Sequence, residues 1–478
     1  MLLNTVIERF VARTPMAVAI RGTLEYAFAP EPLDAIFEEI VGDREDRQLL
    51  FSTCVDLMGT VVTRVNRSIN AAYRAAEDVP VSISALYQRL QRMPIKAGRE
   101  LVRHTAQRLE PVIRAMNGAA ADPLPGYRTK VLDGNHLAHT QRRLKVLRDV
   151  AAGPLPGQSL VVLDPALGLA LDVIPCVDGH AQERSLLDAV IEELKERDLL
   201  IADRNFCTTK FLFGIALRLG YFVIRRHATT LSWEKESAWE SRGRTETGEL
   251  EEQTIELIGP DGSKLTVRRI RLTLDNPTRD GEKVIELLTN LSVSAATAAV
   301  VAKLYQGRWT VEALFHRLTM VLGCEVNTLG YPPAALFGFC VALASSNAYA
   351  MIRAAVRGEH GDAAAEELSD FYVAAELERT VEGMEVAVPE EAWEPIVGWT
   401  AQQMGAWLRS IMRQARLGRY KKAALRDSWG NQALALPKRS NTRSRKFLKL
   451  SIPYARQRMV RSPWLRPSVR PLLLRLWK

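Results

Sequence analysis

Three carboxylates sit where an acid is costly to bury alone. Asp133 closes the apolar run in RTKVLDG (128–134), and Asp203 closes LLIAD (199–203). A carboxylate at the end of a buried strand needs a partner or a bound cation. The carboxyl ends of strands are also where open α/β sheets place their sites. Taken singly, such an aspartate is more often a turn residue or a helix N-cap. Asp164 and Asp172 lie in similar runs, and hairpin geometry would explain both. The third acid, Glu312, lies in LYQGRWTVEALFHRLTMVLG, where Tyr305, Arg308 and Glu312 are spaced three and four apart and project from one helical face. Val311, Leu314, Phe315, Leu318 and Leu322 form an adjoining apolar stripe, which lets the helix pack while offering Glu312 at the edge of the core. A solvated Arg308–Glu312 pair accounts for the same spacing.

The elements that must position these residues follow from periodicity. Residues 1 to about 120 read as helices, among them VSISALYQRLQRM, with Ser82 or Ser84 as N-cap, and the loop NGAAADPLPG (117–126) ends the region. RTKVLDG, SLVVLD (159–164), LALDVIP (169–175), LLIAD and YFVIRR (221–226) then read as strands. Pro165–Leu167 turns the second strand into the third. Helices are expected over AQERSLLDAVIEELKERD and around TKFLFGIALRLG, which gives a mixed α/β layer. LEEQTIELI, LTVRRIRLTL and KVIELLTNL make residues 228–290 a β-rich insertion. Helical character returns at Ala296 and persists, with a loop near Gly358–Asp362, to about Arg416. The regions expected are therefore 1–120, a core of 121–227 and 291–356, the insertion at 228–290, and a helical C-terminal region with a basic tail at 357–478.

Composition narrows the function. The chain has 478 residues, 47% apolar and 25% charged, as in a folded soluble protein. Its five scattered cysteines form no C-x-x-C pair, which argues against a disulfide framework or a zinc site and suits the cytosol. His136, His139 and His180 lack the spacing of a zinc site and read as loop residues near the acids. The opening segment, broken by Glu8 and Arg9, does not read as a signal peptide. The apolar stretch from Pro332 to Ile352 is interrupted by Ser345, Ser346 and Asn347, and reads as a buried helix rather than a membrane span. The net charge of +9 is uneven. Residues 413–478 hold 19 basic residues and one acid, Asp427, leaving a net −9 in 1–412. Lys421, Lys422, Arg443, Arg445 and Lys446 belong to that segment, whose charge fits a nucleic acid. A neutral sugar substrate, as for a glycosidase with paired carboxylates, fits it poorly.

TyrGlnGlyArgTrpThrValGlu resembles the Tyr-x2-Arg-x3-Glu-x6-Lys signature of DDE transposases of insertion-sequence family four. VLDGNHLA resembles that family's first-aspartate segment, and IADRNFCTTKFLFGIALRLGYFVIRRH its second, with an arginine-bearing strand after it. The resemblance covers roughly residues 125–350, with a β insertion in the matching place. It implies a ribonuclease-H-like fold and an enzyme of DNA phosphoryl transfer. Asp133, Asp203 and Glu312 would then be catalytic and hold two Mg²⁺ or Mn²⁺ ions, with Asp133 bridging. Tyr305 and Arg308 would grip DNA phosphate. Water would free the element's 3′ end, and that hydroxyl would attack target DNA.

The partners implied are double-stranded DNA, as terminal inverted repeats and target, and a second copy of the chain on DNA. The helical N-terminal region would recognise the repeats. Trp233, Trp239 and Trp309 are candidates to stack a flipped base, although core or surface roles fit each of them. One departure stands out: position 319, where the signature has a lysine expected to touch phosphate, is Thr319. Arg317 and His316 are the nearest basic substitutes. A DNA-binding descendant that no longer cuts, and a related nuclease without strand transfer, are the alternatives.

Overall fold

Hydrophobic residues alternate along the central strands, and the two sets bury against different helices. In the computed structural model, Val131, Val161, Leu199, Ile201, Val223 and Leu287 join one core, while Leu132, Leu160, Val162, Leu200, Ala202, Phe222, Ile224 and Leu288 join another. That split is the period-two geometry of a sheet covered on both faces. The structure describes residues 5–42, 48–76, 79–137, 157–227, 231–259, 261–278, 281–326 and 329–422. His139, Arg443, Arg445 and Lys446 lie outside them. The chain divides into two units, Met1–Lys422 and Ala423–Lys478, and everything described belongs to the first.

Seven helices come first: α1 (Thr5–Arg13), α2 (Pro15–Ala27), α3 (Pro30–Val41), α4 (Phe51–Val62), α5 (Ile69–Ala75), α6 (Ile83–Gln91) and α7 (Ile95–Ala115). Ser82 is the N-cap of α6 and accepts a hydrogen bond from Ala85 N. The sheet begins with β1 (Arg128–His136), β2 (Gln158–Asp164) and β3 (Leu169–Cys176). Asp164 makes the β2–β3 turn by accepting from the backbone N–H groups of Ala166 and Leu167, as hairpin geometry requires. After a 3₁₀ turn (Glu183–Leu186) come α8 (Leu187–Glu192), β4 (Asp198–Ala202), α9 (Thr209–Leu217) and β5 (Tyr221–Arg225).

The helix expected over 181–198 is thus much shorter. Its last residue, Asp198, is fully buried at the start of β4, where it accepts hydrogen bonds from Arg128, Lys130 and the Lys195 backbone. The hairpin explanation of Asp172 also fails. Its carboxylate is buried against Arg99 and Arg103 of α7, which donate four hydrogen bonds to it.

The segment after β5 supplies β6 (Trp233–Glu236), β7 (Glu240–Thr245), β8 (Gly248–Ile258), β9 (Lys264–Leu274) and β10 (Val284–Thr289). The strand order is β3-β2-β1-β4-β5-β10-β9-β8-β6, with β7 also on β8, so the insertion prolongs the sheet. β6 and β7 are polar and mostly exposed, which hid them from hydrophobic periodicity. β1, β4 and β5 run parallel while β2 is antiparallel to β1, a mixed sheet consistent with the ribonuclease-H-like arrangement.

The remaining helices are α10 (Ala298–Gln306), α11 (Trp309–Met320), α12 (Pro332–His360), α13 (Asp362–Glu367), α14 (Asp370–Ala387), α15 (Glu394–Val397) and α16 (Ala401–Gln414). α12 is long and apolar enough to cross a membrane, but its most apolar window is wholly buried in this fold. Its polar interruption is used. Asn347 accepts from Ala170 N on the edge strand β3 and donates to Ala170 O and to Thr105 of α7. The unpaired edge of the sheet is thereby bonded to the central helix.

Candidate active site

The register of the sheet places the two aspartates together. In the parallel β1–β4 pair Leu132 stands opposite Ala202, so the next residues, Asp133 and Asp203, are neighbours across strands about 4.8 Å apart. Both have the parity of Val131 and Ile201, which points them toward the face that α10–α12 cover.

The helix expected to carry Tyr305, Arg308 and Glu312 is two helices. α10 ends at Gln306 and α11 begins at Trp309. Between them the backbone tightens into i→i+3 bonds: Arg308 N donates to Tyr305 O (3.0 Å), Thr310 N to Gly307 O (3.1 Å) and Val311 N to Arg308 O (3.2 Å). From this junction the Tyr305 hydroxyl donates to Asp203 Oδ1 (3.1 Å). Arg308 donates from Nη1 to Asp133 Oδ2 (3.2 Å) and from Nη2 to Glu312 Oε1 (2.8 Å). One tyrosine and one arginine therefore gather all three acids. The Arg308–Glu312 pair is part of this buried cluster and not a separate surface bridge, since only 9% of Arg308 is exposed.

Burial pushes the Asp133 carboxyl up to about 6, with Asp203 and Glu183 adding to the rise and Arg308 and Gly134 N opposing it. Burial also raises the Tyr305 phenol, helped by Asp203, so it remains a proton donor at neutral pH. At Arg308, burial opposes the charge, but Asp133, Tyr305, Asp203 and Glu312 outweigh it and the guanidinium is held more firmly protonated. A raised folded value for Asp133 means its charge costs stability above pH 6, and that cost vanishes below the unfolded value of about 3.9. Asp133→Asn should therefore raise metal-free stability by about 1–2 kcal/mol at pH 7–8, after allowing for a weaker bond from Arg308. Chemical denaturation across pH 4–8 checks this, with the two proteins expected to converge at the acid end.

The donor set suits a hard divalent cation: three carboxylates on two strand ends and a helix, one of them disfavoured in its charged form by burial despite Arg308. Among the described residues no three metal-ligating side chains already surround a common point. The Arg308 guanidinium lies between Asp133 and Glu312 and supplies positive charge there. The residues fit such a group by chemistry and proximity, with Arg308 having to give way.

Other side chains complete the neighbourhood. A Cβ on Gly134 would lie 2.0 Å from Glu183 Oε1, so this acid rests directly on the residue after Asp133. Arg225, on the same side of the sheet, is paired with Glu282, which also holds Arg204. Asp203 and Tyr305 help keep Arg225 charged against its burial. Sequence reasoning missed Glu183 and Glu282. Of this group only the arginine on the strand after Asp203 had a sequence signal. Trp309 is 60% exposed and lies 5.1 Å from the Arg308 guanidinium. Trp233 and Trp239 are half-buried and stack with Arg226, Arg269 and Arg271.

The basic substitutes considered for position 319 diverge. Arg317 is committed to Asp370 (2.8 Å) and Ser346 (3.1 Å), while His316 and Thr319 are exposed. Lys421 pairs with Glu367 (2.7 Å), and Lys422 donates to Glu366 O (2.6 Å), which anchors both near the end of α13. His180 is an exposed loop residue whose N–H is held by Asp178, and His136 ends β1.

Residues 158–343 match the family described as "Transposase DDE domain". That span is less than half of the chain. It contains Asp203, Tyr305, Arg308 and Glu312, and Asp133 precedes it. No protein among the curated sequences matches the chain. Among solved structures, a cryo-EM piggyBac transposase synaptic complex with hairpin DNA is similar at 11% identity, over 79% of this chain and 81% of that one, with a TM-score of 0.34.

Proposed function

We propose, on the premise that residues 158–343 are a transposase DDE domain and the chain a DDE transposase, that it cuts DNA at the ends of a mobile element and joins the freed 3′ hydroxyl to target DNA. The observation that carries this reading is the gathering of Asp133, Asp203 and Glu312 around the Tyr305–Arg308 junction. Asp133, Asp203 and Glu312 would hold Mg²⁺ or Mn²⁺, which when bound polarises the phosphoryl oxygen and activates the attacking one.

The chain's own residues have separate tasks. Arg308 neutralises Asp133 and Glu312 in the free protein, and its buried Nε has no partner among the described residues. Were the acids to hold cations, the planar fork of Arg308 would be free to bind a phosphate beside the scissile bond. Tyr305 donates to Asp203 and so fixes the rotamer of that carboxylate. Apolar residues of α10 and α11 pack beneath this turn and limit its movement. The resemblance to insertion-sequence family four supports element inverted repeats and target duplex as partners, the joining of two ends supports a homodimer on DNA, and the scattered cysteines suit the cytosol.

A second reading, a chain that binds DNA without cutting it, is favoured by Thr319 and by the commitment of Arg317 to Asp370. One assay separates the two. The purified full chain is incubated with linear duplex carrying its element ends, in Mg²⁺, in Mn²⁺ and with EDTA. The expected outcome is metal-dependent 3′-end cleavage followed by joined product, abolished by EDTA and restored by Mn²⁺. Binding without cleavage in either metal would favour the second reading. Cleavage without joining would leave a ribonuclease-H-like nuclease.

A further inference from the structure

From the placement of one exposed guanidinium we infer that Arg64 is a DNA-phosphate contact on the strand being cut, an assignment that rests on the function proposed above. Glu312, His316 and Thr319 are spaced four and three apart and share one face of α11. His316 and Thr319 are exposed, and neither carries a negative charge. At the end of this face the Arg64 Nη2 donates to Thr319 O (3.1 Å) and Leu322 O (3.4 Å). Seven residues of helix span about 10 Å. Along one strand that length covers about one to two phosphates, because successive phosphates are roughly twice as far apart as the axial rise of about 3.4 Å. A strand with its scissile phosphate at Glu312 and its backbone along this face would bring a later phosphate to Arg64.

The turn that carries Arg64 is held for this position. Arg64 follows α4 with φ 66°, in the left-handed region that a non-glycine residue rarely adopts. Its N–H donates to Val61 O (3.1 Å), and Gly323 N donates to Val62 O (2.7 Å), which ties the turn to the segment after α11. The cation sits against carbonyls at a helix C-terminus, where positive charge is favoured. Only one of its nitrogens is used, since Nη1 and Nε bond to nothing among the described residues, and no carboxylate pairs with it there. Arg317 is spent on Asp370 and Ser346, leaving Arg64 as the guanidinium docked on residue 319 itself.

The test measures duplex affinity of the full chain against salt, by anisotropy with a labelled 30-bp probe carrying the element end. One phosphate contact contributes about 0.9 to the log–log salt slope, or about a threefold change in affinity between 50 and 200 mM. Arg64→Gln should reduce the slope by about that amount and slow cleavage. Arg64→Lys should keep the slope, and Arg64→Gln combined with Thr319→Lys should restore it. A guanidinium that merely caps α11 predicts a lower melting temperature in Arg64→Gln, an unchanged slope and no rescue, and that result overturns the inference. A wild type that cuts while Arg64→Gln keeps the full slope removes only this contact. A wild type that binds but never cuts removes the transposase reading, while the slope still decides Arg64.

Discussion

Alanine at Asp133, Asp203 or Glu312 should each lower end cleavage by more than about 100-fold while leaving duplex binding nearly intact. Losing a residue that only supports a metal ligand typically costs 10–100-fold, and these three are the candidate ligands themselves. Cleavage alone would not separate metal binding from positioning of Arg308, which Asp133 and Glu312 both hold. A second readout does so. Mn²⁺ titrated into DNA-free protein should raise the melting temperature of the wild type, because a ligand that binds only the folded state stabilises it. Each alanine variant should lose most of that rise. Arg308→Met, which leaves all three acids, should keep the Mn²⁺ response or enlarge it, since the competing cation has gone, yet still cut poorly. If Asp133→Ala responded to Mn²⁺ like wild type, that acid would have no place in a metal site.

The sequence is informative about this site where one periodicity decides the outcome. Asp133 and Asp203 end apolar strand runs, and period two alone sets which face each acid joins. The spacing of Tyr305, Arg308 and Glu312 likewise predicts a shared face, and the structure keeps it. The spacing did not show that the turn at Gly307 and Arg308 tightens, so that the tyrosine reaches Asp203 while the arginine reaches Asp133. That division depends on which strands lie beneath the junction, and strand order is a long-range property. Glu183 was hidden for the same reason, because a 3₁₀ turn some fifty residues from Asp133 in sequence lays it on Gly134. Polar β6 and β7 carried no hydrophobic pattern to read. The sheet continues through β10 because β10 pairs with β5, a choice of neighbour that a list of strands does not contain.

Asp172→Ala should cost about 3–5 kcal/mol of stability, the usual effect of removing one partner from a buried charge pair. Asp172 is 7% exposed and takes four hydrogen bonds from Arg99 and Arg103, joining β3 to α7. Without it two guanidiniums face an apolar seam, with Glu193 and Glu100 as the remaining acids near them. Burial alone would raise the Asp172 carboxyl, but the two arginines outweigh it and hold it below the usual aspartate range. The sign follows from that depression: the pair's contribution is complete above the unfolded value of about 3.9, and is lost as pH falls through the lower folded value. Urea denaturation should show the full difference from wild type at pH 6–8 and a shrinking one below pH 4. Replacing the group by Arg99→Met, Arg103→Met and Asp172→Leu together should recover much of the loss, since apolar side chains of similar volume avoid the desolvation of three charges. If Asp172→Ala is instead as stable as wild type at pH 7, the α7–β3 seam is held by the apolar contacts of α7 and α12, and the ion cluster is dispensable.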